Sequence, residues 1–244
     1  MIAGVRVNRF YDQSAFVKWS VGGALFFIPM GILIGAAHGL QILLTPYGVF
    51  AATVGVWLAI AALGFVFVPF LQTAFTPFLT LIGVYKYYSP MLMALLPTRR
   101  RVELHAGTWW DILYLTPWSQ PGSKARRAIL LSMLDGLLEL ADRIDRGEVA
   151  LDAKIVGTSY FFNKSTIQRF GFRMEQPGLF CRFFLVFAIL DITSQFSFTR
   201  GKLNVAPVWR ARKATSTGAK LLANRENISR LRTRLAQRRR DAGP

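Results

Sequence analysis

Acidic residues are missing from a long stretch at the start of this chain: none occurs between Asp12 and Glu103. The single cysteine, Cys181, excludes an intramolecular disulfide and a thiolate metal cluster. With only His38 and His105 present, a multi-histidine metal centre is excluded as well. Also absent are the phosphate loop GxxxxGK[ST], the dinucleotide turn GxGxxG, the zinc helix HExxH and the nucleophile elbow GxSxG. These absences remove the common nucleotide, zinc-protease and serine-hydrolase chemistries, and no cofactor is expected. Cys181 sits among Phe180, Phe183 and Phe184 and reads as a small core residue rather than a nucleophile.

What the chain has instead is apolar bulk. Of its 244 residues 52% are hydrophobic and only 18% charged, richer in apolar groups than a typical soluble domain. Trp19 to Leu44 and Val49 to Leu71 each exceed the roughly 20 residues a helix needs to cross a bilayer. Thr45, Pro46, Tyr47 and Gly48 supply turn chemistry between them. No small-residue cleavage site follows a short apolar core, so the first run is expected to stay as an anchor. The expected fold class is a mainly α membrane protein: an N-terminal transmembrane helical hairpin, a small α+β cytoplasmic or interfacial domain, and a basic C-terminal helix. The expected segments are 1–98, 99–205 and 206–244.

Helices in lipid associate where small residues let backbones approach. Gly31, Gly35 and Gly39 recur every four residues in the first run, and Ala51, Gly55 and Ala59 in the second. Folding about Thr45 would set Gly39 opposite Ala51, Gly35 opposite Gly55 and Gly31 opposite Ala59. The alternatives are a homodimer interface or the general abundance of small residues in such helices.

Basic residues set the orientation. Arg6, Arg9 and Lys18 precede the first run, Arg99 to Arg101 follow the apolar region, and the loop between has none, so both termini are expected on the cytoplasmic side of a bacterial inner membrane. A third crossing at Phe75 to Pro97 would put the basic tail on the wrong side. A re-entrant or interfacial segment is expected there, with Tyr85, Tyr87 and Tyr88 at head-group depth.

Beyond Arg99, Trp109, Trp110, Tyr114 and Trp118 cluster among apolar neighbours, before a break at Pro117, Pro121 and Gly122. Ser123 caps a predicted helix to about Arg146, stopped by Gly147. The alternation from Val149 to Ile155 predicts a strand before a turn at Gly157. Asn163 caps a predicted short helix ending near Gly171, after which Phe172 to Glu175 extends. That turn also closes the N-acetyltransferase fold, but ten residues assign no family. Leu179 to Phe198 is interrupted by Arg182, Asp191 and Gln195 and reads as a buried or interfacial helix. Arg182 and Asp191 fall on opposite faces, so each needs its own partner if buried.

Residues 200 to 240 hold thirteen Lys or Arg against the single acid Glu226, which is +12 of the net +17. Leu221, Leu222, Ile228, Leu231 and Leu235 place one narrow apolar stripe on this basic helix. Arg225, Arg230, Arg232, Arg234, Arg238, Arg239 and Arg240 are candidates for binding an anionic partner: lipid head groups first, then an acidic membrane subunit, then nucleic acid or ribosomes.

His105 and Asp111 could form an imidazole–carboxylate pair acting on a lipid. Glycerolipid acyltransferases place four residues between such a pair, and five intervene here. The leading expectation is a non-catalytic membrane subunit or assembly scaffold that contacts membrane lipids and other membrane proteins. The alternative is an interfacial, acyltransferase-like lipid-modifying enzyme, and the third a tether for nucleic acid or ribosomes. His38 reads as a neutral imidazole near a helix end.

Overall fold

The computed structural model describes residues 9–115, 121–160 and 163–240. Arg6, Pro117 and Trp118 lie outside them. The fold is mostly helical, with one long apolar helix near the N-terminus and a small mixed sheet.

Helix α1 (Ala15–Leu44) starts at Ser14, whose side chain accepts from the Val17 amide. A 3-10 turn over Thr45–Tyr47 follows, and Gly48 at φ +103° turns the backbone into α2 (Val49–Leu81). The stretch Ala15–Tyr47, with mean hydropathy 1.9, is long and apolar enough to cross a membrane. The two helices run antiparallel. A Cβ on Gly22 would meet the Leu81 side chain at 2.9 Å, and Phe26 stacks on Phe78 with centroids 4.4 Å apart.

The expected glycine register is not the one found. A Cβ at Gly31, Gly35 or Gly39 would meet no heavy atom within 4 Å. Ala51 is exposed, and Gly55 faces Leu44 rather than Gly35. Bulky side chains decide the packing, because interlocking Phe26, Phe75 and Phe78 buries more surface than two glycine rows can.

Helix α2 runs past the expected end at Leu71, and the segment read as re-entrant is part helix and part sheet. Strands β1 (Tyr85–Ser89), β2 (Leu92–Leu95) and β3 (Arg101–Ala106) form an antiparallel meander. Tyr87 and Tyr88 are buried in it rather than at head-group depth. After α3 (Trp109–Leu115) comes α4 (Ser123–Asp145), whose cap is Gly122 with no side-chain hydrogen bond, so Ser123 is the first helical residue rather than the expected cap; it leads to β4 (Lys154–Ser159), parallel to β3. Val149 and Ala153, read as strand, are buried loop residues, and Gly157 lies inside β4 rather than in a turn. Helix α5 (Lys164–Arg169) is capped by Asn163, as expected, and β5 (Arg173–Glu175) follows.

Helices α6 (Leu179–Phe187) and α7 (Ile189–Arg200) meet at a 67° bend. The chain returns as β6 (Arg212–Thr217), which inserts between β4 and β5 to give the order β1-β2-β3-β4-β6-β5. Then α8 (Gly218–Ala223) and α9 (Arg225–Arg240) pack back on α4. The outer two expected segments therefore share one core with the middle one. Tyr88 and Leu92 from the first, and Leu221 and Ile228 from the last, pack with Val102, Leu140 and Ile155.

Candidate functional site

The sheet has one parallel step, and it opens at one end. Strands β3 and β4 pair from Arg101↔Lys154 to Leu104↔Gly157 and then part. Each continues on its outer side: β3 pairs with β2 as far as Ala106↔Leu92, and β4 with β6 as far as Ser159↔Arg212. His105 and Ala106 thus have no partner in Thr158 and Ser159, and this break in the ladder, the crevice, lies at the carboxyl ends of two parallel strands. In sheets with parallel strands that is where ligands are bound.

Helix α7 touches the residues that follow both strands. From the β3 side, Trp109 donates its indole N–H to the Ser194 hydroxyl at 2.7 Å, and Ser194 donates to the Asp191 carbonyl at 2.7 Å. Gln195 donates its amide to Asp191 Oδ2 at 3.0 Å, while the other carboxylate oxygen, Oδ1, is buried with no hydrogen-bond partner among the described residues. A buried carboxylate oxygen left in that state costs free energy, and burial pushes Asp191 up to about 6. From the β4 side comes Tyr160, packed on Phe196 with centroids 5.5 Å apart. Burial, and then the charge of Asp191, pushes its phenol up to about 12. Cys181 on α6 lies 3.8 Å from the Thr158 hydroxyl, half-buried at the crevice wall rather than in the core.

The N-terminus of α4 packs against the end of α7. Gly122, at φ +82°, donates to the Phe198 carbonyl at 2.8 Å, and its backbone passes so close to Gly201 that a Cβ on Gly201 would sit 3.3 Å from Gly122 Cα. Lys124, Arg126, Arg127, Arg200 and Lys202 flank this end, with no acidic residue in the first turn of α4. Unpaired amides and a positive surround favour an anion.

No known protein family, curated sequence or solved structure matches this chain. The site is therefore read from its own chemistry.

The expected His105–Asp111 pair is not assembled. His105 sits on the outward side of β3, half-exposed and 3.8 Å from a Glu103 carboxylate oxygen. Asp111 is fully buried on the other side, where it accepts from the Thr108 amide at 2.8 Å and the Thr108 hydroxyl at 3.2 Å. That is the return half of a capping box at the first turn of α3, whose Asp111 amide donates to the Thr108 carbonyl at 3.0 Å. Tyr87 donates to the same carboxylate, and the Thr108 hydroxyl lies 3.2 Å from that of Thr76 on α2. Burial pushes Asp111 up to about 7 against these hydrogen bonds. Tight backbone geometry holds the turn, since a Cβ on Gly107 would meet the Pro90 carbonyl at 2.7 Å and the Asp111 side chain at 3.0 Å. Asp111 joins α2 to the sheet and is not placed to touch a substrate.

The tail arginines are partly spent within the fold. Arg225 pairs with Asp142, Arg232 with Asp135 at 2.8 Å, and Arg230 with Glu226. Arg234 is exposed, and Arg238, Arg239 and Arg240 occupy the last turn of α9 with side chains outside the described structure. Among the described residues no cluster of three His, Cys, Asp or Glu could hold a metal.

Sequence reasoning missed Tyr160, Trp109 and Ser194 as site residues. For Asp191 the signal was visible, because a lone carboxylate in an apolar stretch needs a partner. Nothing local to Tyr160 points to Asp191, thirty-one residues on.

Proposed function

We propose that this is a membrane-anchored acyl-transferring enzyme, with α1 and α2 as a transmembrane hairpin and the β3–β4 crevice as the reaction site. The observation that carries the reading is the buried Oδ1 of Asp191, without a hydrogen-bond partner among the described residues and near enough to Tyr160 for its charge to act on the phenol. Two titratable groups whose environments differ are the usual material of general acid–base catalysis. Asp191 would accept the proton of an attacking amine or hydroxyl, and Tyr160 would return one to the departing thiol.

The donor is inferred from shape. Parted strand edges suit an extended ligand with amide groups, and a basic helix start suits a phosphate, so an acyl thioester on a phosphate-bearing amide arm fits both. The stretch Asn163–Phe172 also resembles the closing turn of the N-acetyltransferase fold. That likeness is one of arrangement and weighs less than the residues.

The anchoring part rests on α1. Phe27, Ile28, Ile32 and Ile34 project from it, each more than half exposed, which water does not tolerate and lipid does. Purified full-length protein in lipid vesicles, given an acyl-coenzyme A, should release free thiol faster than vesicles alone. Release that is unchanged by both Asp191→Asn and Tyr160→Phe would remove the enzyme reading and restore the scaffold expectation.

A further inference from the structure

Helix α6 has no polar face to show to water. Cys181 and Leu185, one turn apart, turn half-buried toward the body of the domain, with Cys181 against Thr158 at the crevice. Leu179, Phe180, Phe183, Phe184 and Val186 turn outward, from 50% to 85% exposed. Arg182 is the one charge on the helix. Its neighbour is a 3-10 turn over Val208–Arg210, whose Trp209 is 69% exposed. Around this apolar face runs a basic rim. Arg182 and Arg212 both donate to Gln176 Oε1, at 3.2 and 2.6 Å, and Arg210 follows Trp209 directly.

Three observations select the occupant. The exposed apolar area far exceeds what isolated surface residues supply, so something covers it. Aromatic side chains with a tryptophan at the edge and arginines at the rim match the boundary of an anionic bilayer, where rings sit at head-group depth and guanidinium groups meet phosphate. The face is also continuous with the anchor: Phe187, the last residue of α6, lies 6.0 Å from Phe65 in T-shaped contact and packs beside Gly64, about half-way along α2. Whatever bathes that stretch of α2 reaches the end of α6.

We propose that α6 and the Trp209 turn form a second membrane contact, immersed in the interface of an anionic leaflet and separate from the α1–α2 anchor. The inference rests on the anchoring reading above. It deepens that reading by making a bilayer lipid the acceptor class, because the wall between the leaflet and the crevice is one helix thick, with Phe183 outside and Cys181 inside.

The test uses full-length protein with Cys181→Ser, reconstituted in phosphatidylglycerol-containing vesicles whose acyl chains carry bromine. A bimane label is attached in turn through Phe183→Cys, Phe180→Cys, Ile32→Cys on α1 and Glu226→Cys on α9. Both α6 labels should be quenched by bromine and shielded from aqueous iodide, as the Ile32 label is, while the Glu226 label behaves oppositely. Quenching at Ile32 but not at Phe183 or Phe180 overturns the second contact and leaves the anchor standing. An α6 label shielded from both quenchers indicates a protein partner and overturns it too. No quenching at Ile32 defeats the anchoring reading, and the inference with it.

Discussion

Tyr87 donates its phenolic proton to Asp111, its oxygen lying 2.9 and 3.0 Å from the two carboxylate oxygens. The bond crosses from β1 to α3 inside a site closed by Thr76 and Thr108, so the stem of α2 and the sheet share one buried acid. Asp111 is held near 7 while its unfolded value is 3.8, so over that interval the folded state carries a proton that the unfolded state has lost. Stability is then greatest below about pH 4, declines as pH rises to about 7 and is level above, a change on the order of 4 kcal/mol. Thermal unfolding in detergent from pH 5 to 8 should show the midpoint falling. Asp111→Asn keeps the hydrogen-bonding shape and should remove the part of that fall above about pH 6, while the contribution of Asp191, which burial pushes up to about 6, remains below it.

Glycines give a sharper test of how α1 and α2 pack. Gly35→Ala adds a methyl to open space and exchanges a poor helix former for a good one, so it should be neutral or stabilising by up to about 1 kcal/mol. Gly136→Ala on α4 would drive a Cβ to within 2.6 Å of Leu92 Cβ and 2.7 Å of Ser89 Oγ. Overpacking of that kind costs about 1–3 kcal/mol. Equal losses at both positions would restore the glycine-row register and contradict the packing found.

The basic tail contributes to folding through its apolar side. Ile228 is fully buried against the α4 core, and Ile228→Ala should cost about 2–5 kcal/mol. Arg230→Ala removes an ion pair with Glu226 whose side chains are 65% and 75% exposed, and exposed pairs contribute about 0–1 kcal/mol. Denaturant midpoints of the two variants should differ clearly.

For the proposed reaction, Asp191→Asn should lower thiol release by about 100- to 10,000-fold, the usual range for a lost general base. Trp109→Phe loses the hydrogen bond to Ser194, which itself bonds to the Asp191 carbonyl, and trims the ring packed on Phe198, and its effect on thiol release should be smaller. An unchanged unfolding midpoint in both variants would separate chemistry from stability.

Much of the local structure was legible in the residues. The apolar length of α1, the helix from Ser123, the Asn163 cap and the strand after Gly171 all follow from periodicity and caps, which act within a few residues of one another. Long-range partners were not. The sequence holds an apolar stripe on α9 but not what it meets, and a solvated surface and the α4 core would accept the same stripe. Tyr85 to Tyr88 read as an interfacial belt because aromatic rings suit head groups and sheet interiors alike, and only pairing of β1 with β2 buried Tyr87 and Tyr88.

The sequence by itself determined an acid-free apolar N-terminal third, a basic C-terminal end, and the absence of the common nucleotide, zinc-protease and serine-hydrolase motifs. Tertiary structure alone decided that β6 enters between β4 and β5, that β3 and β4 cease to pair after Leu104 and Gly157, and that Tyr160 comes within reach of the Asp191 charge. The reason is physical: hydropathy and caps are properties of neighbours in the chain, whereas strand order and the burial of one carboxylate depend on which distant surfaces close over it.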